Sequence, residues 1–196
     1  MKITLTLLFS FLIILSYGQK TKTYFPVWTF HQKNSNIYGL SVGLWNFSTN
    51  PRNTTTNGLR FSLIGEGLIV PLIPSSPVPE NDSLFEVRQK TIITEKVNGI
   101  NISGTGTAGD FVINGISVGV VGQIEHKVTG ISAAILMNFA QTHNGIQIAA
   151  YNETYKMKGL QIGLLNKSKR TKGIQIGLWN INEKRKLPLI NWNFFE

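Results

Sequence analysis

The strongest regularity along the chain is an alternation of apolar and polar positions that restarts about every 15 residues. Two segments make it explicit: Lys158-Gly-Leu-Gln-Ile-Gly-Leu-Leu-Asn166 and Lys172-Gly-Ile-Gln-Ile-Gly-Leu-Trp-Asn180. Taking the leading glycine as the first position of a unit, further copies begin at Gly39, Gly58, Gly99, Gly115, Gly130 and Gly145, and the last six units are spaced by 14–16 residues. The second position is aliphatic in every copy: Leu40, Leu59, Ile100, Ile116, Ile131, Ile146, Leu160 and Ile174. The fourth is apolar throughout, from Val42 and Phe61 to Ile162 and Ile176. The fifth is Gly, Ser or Ala throughout, and the eighth is Asn or Gly in every unit but one, where Met137 stands ahead of Asn138. Apolar residues at positions two, four and six with Ser, Gln, Asn or Arg at position three have period 2, so each unit predicts one β-strand with an apolar face. Asn or Gly at the eighth position predicts a turn in a left-handed backbone.

One strand of about eight residues cannot bury its own apolar face, so the units must share a core. The pattern therefore predicts an all-β fold, a parallel β-solenoid of about eight coils of 14–16 residues, with aliphatic ladders inside and Asn or Gly ladders at a corner. Ile146 and Ile148, Leu160, Ile162 and Leu164, and Ile174, Ile176 and Leu178 are the expected carriers of that core. The few apolar residues available for a second wall are Phe139, Tyr155, Met157 and Ile181. The alternative is an antiparallel β-meander or an up-and-down outer-membrane barrel, which places the same aliphatic face against lipid. Uniform spacing favours the solenoid, because outer-membrane barrels alternate short turns with long loops.

The segments outside the repeat divide the chain. Residues 1–18 combine Lys2, an apolar run from Ile3 to Leu15 and small residues before Gln19, the arrangement of a cleaved secretory signal. Residues 19–37 form an N-terminal cap, 38–64 the first two repeats, 65–97 a Pro-rich insertion, 98–182 six further repeats and 183–196 a C-terminal cap. Trp28 and Trp192 are expected in the caps, which must cover exposed strand edges. No further run is long enough for a transmembrane helix, so none is expected after signal cleavage. Export places the protein in the periplasm, outer membrane or cell surface of a bacterium.

The unit Gly-[Ile/Leu]-Gln-Ile-Gly-Leu-x-Asn resembles a short surface-repeat family of exported bacterial proteins with no assigned function. The likeness is close over Gly145–Asn180 and looser over Gly39–Gly65 and Gly99–Gln123, and the ending from Leu187 to Phe194 is similar to that family's C-terminal close. The resemblance implies export and an envelope or surface location, and it brings no catalytic residue with it.

Composition narrows the chemistry. The 196 residues contain no Cys, which excludes disulfides, thiol catalysis and Cys-ligated metals. Acid–base groups are scarce: Asp82 and Asp110 are the two aspartates, and His31, His126 and His143 the three histidines. Gly104-Thr-Gly-Thr-Ala-Gly109 imitates a dinucleotide loop but lacks the helix that such a loop must open. No catalytic, cofactor or metal site is expected, and the chain reads as a non-enzymatic protein with a structural or surface-interaction role. A carbohydrate-active β-helix is the enzymatic alternative, with Glu125 or Asp110 as the carboxylate to test. The formal charge is +9, and much of it lies after Tyr151: Lys156, Lys158, Lys167, Lys169, Arg170, Lys172, Lys184, Arg185 and Lys186 against Glu153, Glu183 and Glu196. Stacked coils would set these cations in a stripe, the candidate contact for an anionic envelope lipid or glycan. Nucleic acid is not an expected partner of an exported chain.

Overall fold

The structure, a computed structural model, describes residues 21–47 and 51–195. The segment read as a secretory signal lies outside the described residues. The described residues form eleven strands: β1 (Lys22–Tyr24), β2 (Val27–Thr29), β3 (Ser35–Asn46), β4 (Thr54–Gly65), β5 (Glu95–Ser103), β6 (Phe111–Gly119), β7 (Gly122–Ala134), β8 (Met137–Ile148), β9 (Tyr151–Ile162), β10 (Leu165–Ile181) and β11 (Lys186–Asn193). Their order follows the chain from β3 to β11, and every pairing is parallel except β10 with β11. This is a parallel β-solenoid. The barrel alternative is overturned, because a meander requires antiparallel neighbours and consecutive coils here run parallel and open at both ends.

The register is the repeat. Gly39 pairs with Gly58, Gly58 with Gly99, and the series continues through Gly115, Gly130, Gly145 and Gly159 to Gly173. All eight have positive φ, from 108° to 157°. A Cβ on Gly159 would lie 2.1 Å from the Gly145 carbonyl oxygen, and the same contact recurs up the column. The glycine is thus the bend that splits each coil into two walls, and it must be glycine on both conformational and steric grounds. The left-handed backbone expected at the eighth position is absent from its asparagines. Asn152, Asn166 and Asn180 are instead buried at the next corner, stacked amide to amide at 2.8 Å, and Asn152 and Asn166 also donate to corner carbonyls.

The alternation is as expected, but its sense is inverted. Position three faces the lumen: Ser41, Arg60, Asn101, Ser117, Ser132, Gln147, Gln161 and Gln175 are all fully buried. Positions two, four and six face outward. Ile148, Ile162 and Ile176 are 37–42% exposed although each is flanked by its ladder neighbours. The buried aliphatic core lies on the opposite wall, two residues ahead of each glycine, where Ile37, Val97, Ile113, Val128 and Met157 form one register column with Thr56, His143 and Thr171. A coil of 14–16 residues encloses a narrow lumen. Gly, Ala and Ser at position five suit that width, and stacked amides satisfy one another along it.

The ends and the insertion complete the fold. Phe30 plugs the N-terminal end at 0% exposure, with the Arg60 guanidinium 4.1 Å from its ring. Trp28 and Trp192 are more than 40% exposed, so the plug is Phe30 and not the tryptophans. At the C-terminal edge, Pro188 and the positive φ of Leu189 interrupt β11, which discourages pairing with another chain. The insertion contains a 3-10 helix (Glu66–Leu72) and a helix α1 (Asp82–Gln89), the latter capped by the Asn81 side chain accepting from the Leu84 amide. It crosses the outside of the first wall, where Val70, Val78 and Phe85 pack with Phe139 and Tyr155. Phe139 and Tyr155 therefore anchor the insertion and do not line a second wall of the lumen.

Candidate interaction surfaces

Three features have the composition of a functional site. The first is the outer face of the second wall, built by the strand alternation itself. Its rows are Leu160 and Ile162 on β9 with Leu164 just beyond its end, and Ile174, Ile176 and Leu178 on β10, with equivalent residues on six further coils. None of the residues at positions two, four and six is charged in any coil. The antiparallel β11 continues the face, since Trp192 pairs with Ile174 and Ile190 with Ile176. Trp45 and Trp179 stand at its edge, 55% and 45% exposed. An open apolar groove of about 600 Å³ runs across it between Ile148, Ile162, Ile176 and Ile190. At a strand spacing of about 4.8 Å and a rise of about 3.3 Å per residue, the three rows cover on the order of 450 Å². Monomeric proteins rarely leave a larger continuous apolar patch uncovered.

The second feature is basic. Register sets Lys156 beside Arg170 and Lys158 beside Lys172. Together with Lys169 and Lys184 they line a groove of about 550 Å³ whose floor includes Thr142, Asn144 and Met157 and whose end is Phe195. The structure therefore brings six of the nine expected cations to one place. Glu183 is the acidic residue among those lining the groove, and it already accepts from the Thr171 amide at 3.0 Å and from Asn193. Lys156 lies over the Phe85 ring, and Arg170 pairs with Asp82 at 2.5 Å. Hydrogen bonds from Tyr155 and Arg170 hold the Asp82 carboxyl below its usual pKa. The other three cations are elsewhere: Lys167 pairs with the buried Glu153 at 2.8 Å, Arg185 stacks on Trp192 and donates to Asn191, and exposed Lys186 opens β11.

The third feature is the lumen. Arg60 and Glu95 form a fully buried bidentate pair with donor–acceptor distances of 2.7 and 3.1 Å, and Arg60 also donates to Asn101 at 2.9 Å. Glu125 is sealed between Ser117 and Ser132, both of which donate to it, and burial without a cation raises its pKa to about 7. His143 has no hydrogen-bond partner among the described residues, and burial lowers its pKa to about 4. Glu125 is thus out of reach of any solute and is not a carboxylate for glycan chemistry. Asp110 is different: it lines an open cavity of about 340 Å³ with Glu66, Arg52 and Thr94. Nothing in the local pattern links Glu66 to Asp110; the insertion sets Glu66 in the lining of the same cavity. The Gly104–Gly109 segment contributes Gly106 to the packing of the 3-10 helix, whose Gly67 amide donates to its carbonyl at 3.2 Å.

Among the described residues no group of three or more His, Cys, Asp or Glu could hold a metal, and no helix is long and apolar enough to cross a membrane. No family model matches the chain, and no curated protein or solved structure matches it either.

Proposed function

We propose that this is an exported, non-enzymatic protein of the bacterial envelope that works by surface interaction, with the aliphatic face of the second wall as its contact surface. One observation carries the reading: the repeat keeps an uncharged aliphatic row facing outward through eight coils while it places the amides inside. Exposed aliphatic area lowers solubility, so a pattern that repeats it in each unit implies a partner that covers it. Export is supported by the signal-like start of the sequence and by the likeness of its units to the exported surface repeats. The test is fractionation of cells making the wild type and the Ile148→Ser, Ile162→Ser, Ile176→Ser triple variant. The wild type is expected with the envelope and the variant, folded by circular dichroism, in the soluble fraction. Two equally soluble monomeric proteins would sink the proposal.

A carbohydrate-active β-helix is the second reading, supported by the open cavity holding Glu66 and Asp110. It predicts turnover of a defined glycan that Asp110→Asn abolishes.

A further inference from the structure

The aliphatic face and the basic groove are neighbouring parts of the same coils. Outward positions along β9 and the residues just after it read Lys156, Lys158, Leu160, Ile162, Leu164, and along β10 they read Arg170, Lys172, Ile174, Ile176, Leu178. In these two coils two cations on one side of the glycine bend lead directly into three aliphatic side chains on the other. We infer that this surface docks the protein onto an anionic phospholipid bilayer, with the aliphatic rows and the tryptophans among the acyl chains and the basic groove on the headgroup phosphates. The inference rests on the surface-interaction reading above and names its partner.

Three observations favour a bilayer over other occupants. Trp45, Trp179 and Trp192 stand at the margins of the face, where a ring that is apolar in body and polar at its N–H suits the boundary between acyl chains and headgroups. Register sets Lys158 beside Lys172 and Lys156 beside Arg170, and with Lys169 and Lys184 they give the groove an excess of positive charge that Asp82 and Glu183 only partly offset, the complement of an anionic headgroup layer. A second copy of the chain fits less well: two exported chains, each with a formal charge of +8 once Lys2 is removed and with a basic groove beside the face, repel. A bilayer needs no matching shape. Shallow insertion of an apolar face beside Lys and Arg is the usual arrangement of proteins that lie in the membrane interface.

The test uses the exported form, from Gln19 onward, with sonicated vesicles of phosphatidylcholine alone and of phosphatidylcholine mixed with phosphatidylglycerol. Co-sedimentation is expected with the anionic vesicles, weakening as salt rises, together with a blue shift of tryptophan emission and quenching by brominated acyl chains. Lys158→Gln with Lys172→Gln should lower partitioning about thirtyfold, since each cation near an anionic surface contributes about 1 kcal/mol. The Ile148→Ser, Ile162→Ser, Ile176→Ser variant should abolish the emission shift. If that variant does not fold, quenching of the wild type by brominated lipid decides alone. Equal binding to both vesicles, or binding of inorganic phosphate or heparin in the groove without partitioning, overturns the inference. Self-association that the face variant removes, with no partitioning, overturns the bilayer and leaves surface interaction standing. Monomers that neither partition nor change with the face variant overturn both.

Discussion

The lumen and the outer face of the second wall are made by the same strands, one residue apart, and they reverse the usual distribution. Gln147, Gln161 and Gln175 are sealed in the lumen, while Ile148, Ile162 and Ile176 next to them face out. What separates the two is the availability of partners. Gln161 donates to Gln147 and Gln175 to Gln161, both at 2.8 Å, and Gln147 donates to the Asn138 backbone carbonyl at 2.8 Å. Burial therefore costs their amide N–H groups little, because these donate within the coil stack itself, while the Gln175 Oε1 at the last parallel coil has no partner among the described residues. The aliphatic rows have no such partner within the chain and stabilise the fold mainly by shielding one another along the ladder. A buried polar ladder can hold a solenoid together and leave its apolar strip free for other work.

Substitutions can break this contrast from either side. The largest effect is expected at Arg60, where Arg60→Ala leaves Glu95 buried with only Arg52, at 3.7 Å, as a cation. A loss of about 3–5 kcal/mol in urea unfolding is expected, and an apolar replacement of both Arg60 and Glu95 should recover most of it. Next is the pH response. Glu125 has a folded pKa near 7 against 4.5, so its contribution is present below pH 4.5 and is lost as pH rises through 7. Glu125→Gln should therefore be more stable than the wild type by roughly 3 kcal/mol at about pH 8 and equal to it at about pH 4. His143 acts in the other direction: a folded pKa near 4 against 6.5 means stability is lost as pH falls through that window. His143→Met should remove that loss and add about 1 kcal/mol even at neutral pH, because it deletes two unpartnered buried nitrogens. An unchanged acid limb in the variant would show that His143 is solvated.

The sharpest comparison uses adjacent residues. Gln161→Leu removes one hydrogen bond from the Gln147 side-chain oxygen, which keeps Thr154, and one from the Gln175 amide, which keeps the Ile181 carbonyl, and should cost about 1–2 kcal/mol. Ile162→Asp, beside it but outward, should cost less than about 1 kcal/mol and leave the circular dichroism spectrum intact. Had the aliphatic columns formed the core, the second substitution would be the destructive one. Equilibrium unfolding of the two variants side by side decides between these orientations.

Much of the architecture was legible. The eight glycines, the strand in each unit and the stacking of equivalent columns follow from spacing, and the register confirms each one. The candidate anionic contact was partly legible: six cations converge in the groove, while Lys167, Arg185 and Lys186 are engaged elsewhere. The insertion shows in the sequence only as a Pro-rich stretch; its helix and its packing on Tyr155 are not legible there, because Phe85 and Val78 carry no local period. The apolar lumen column from Ile37 to Thr171 was missed for another reason. Its residues range from Ile to His, and only their constant offset of two ahead of the glycine marks them.

The sequence by itself determined the coil, because a period-2 alternation punctuated by a recurring glycine permits few backbones. It could not determine which face of the alternation lies inside. Alternation assigns residues to two sides of a strand without saying which side the chain closes around. The tertiary structure decided that, since the positive-φ glycine bends each strand toward its Gln side and the narrow lumen accepts small residues and self-paired amides. The aliphatic side, left outside by that bend, became the surface.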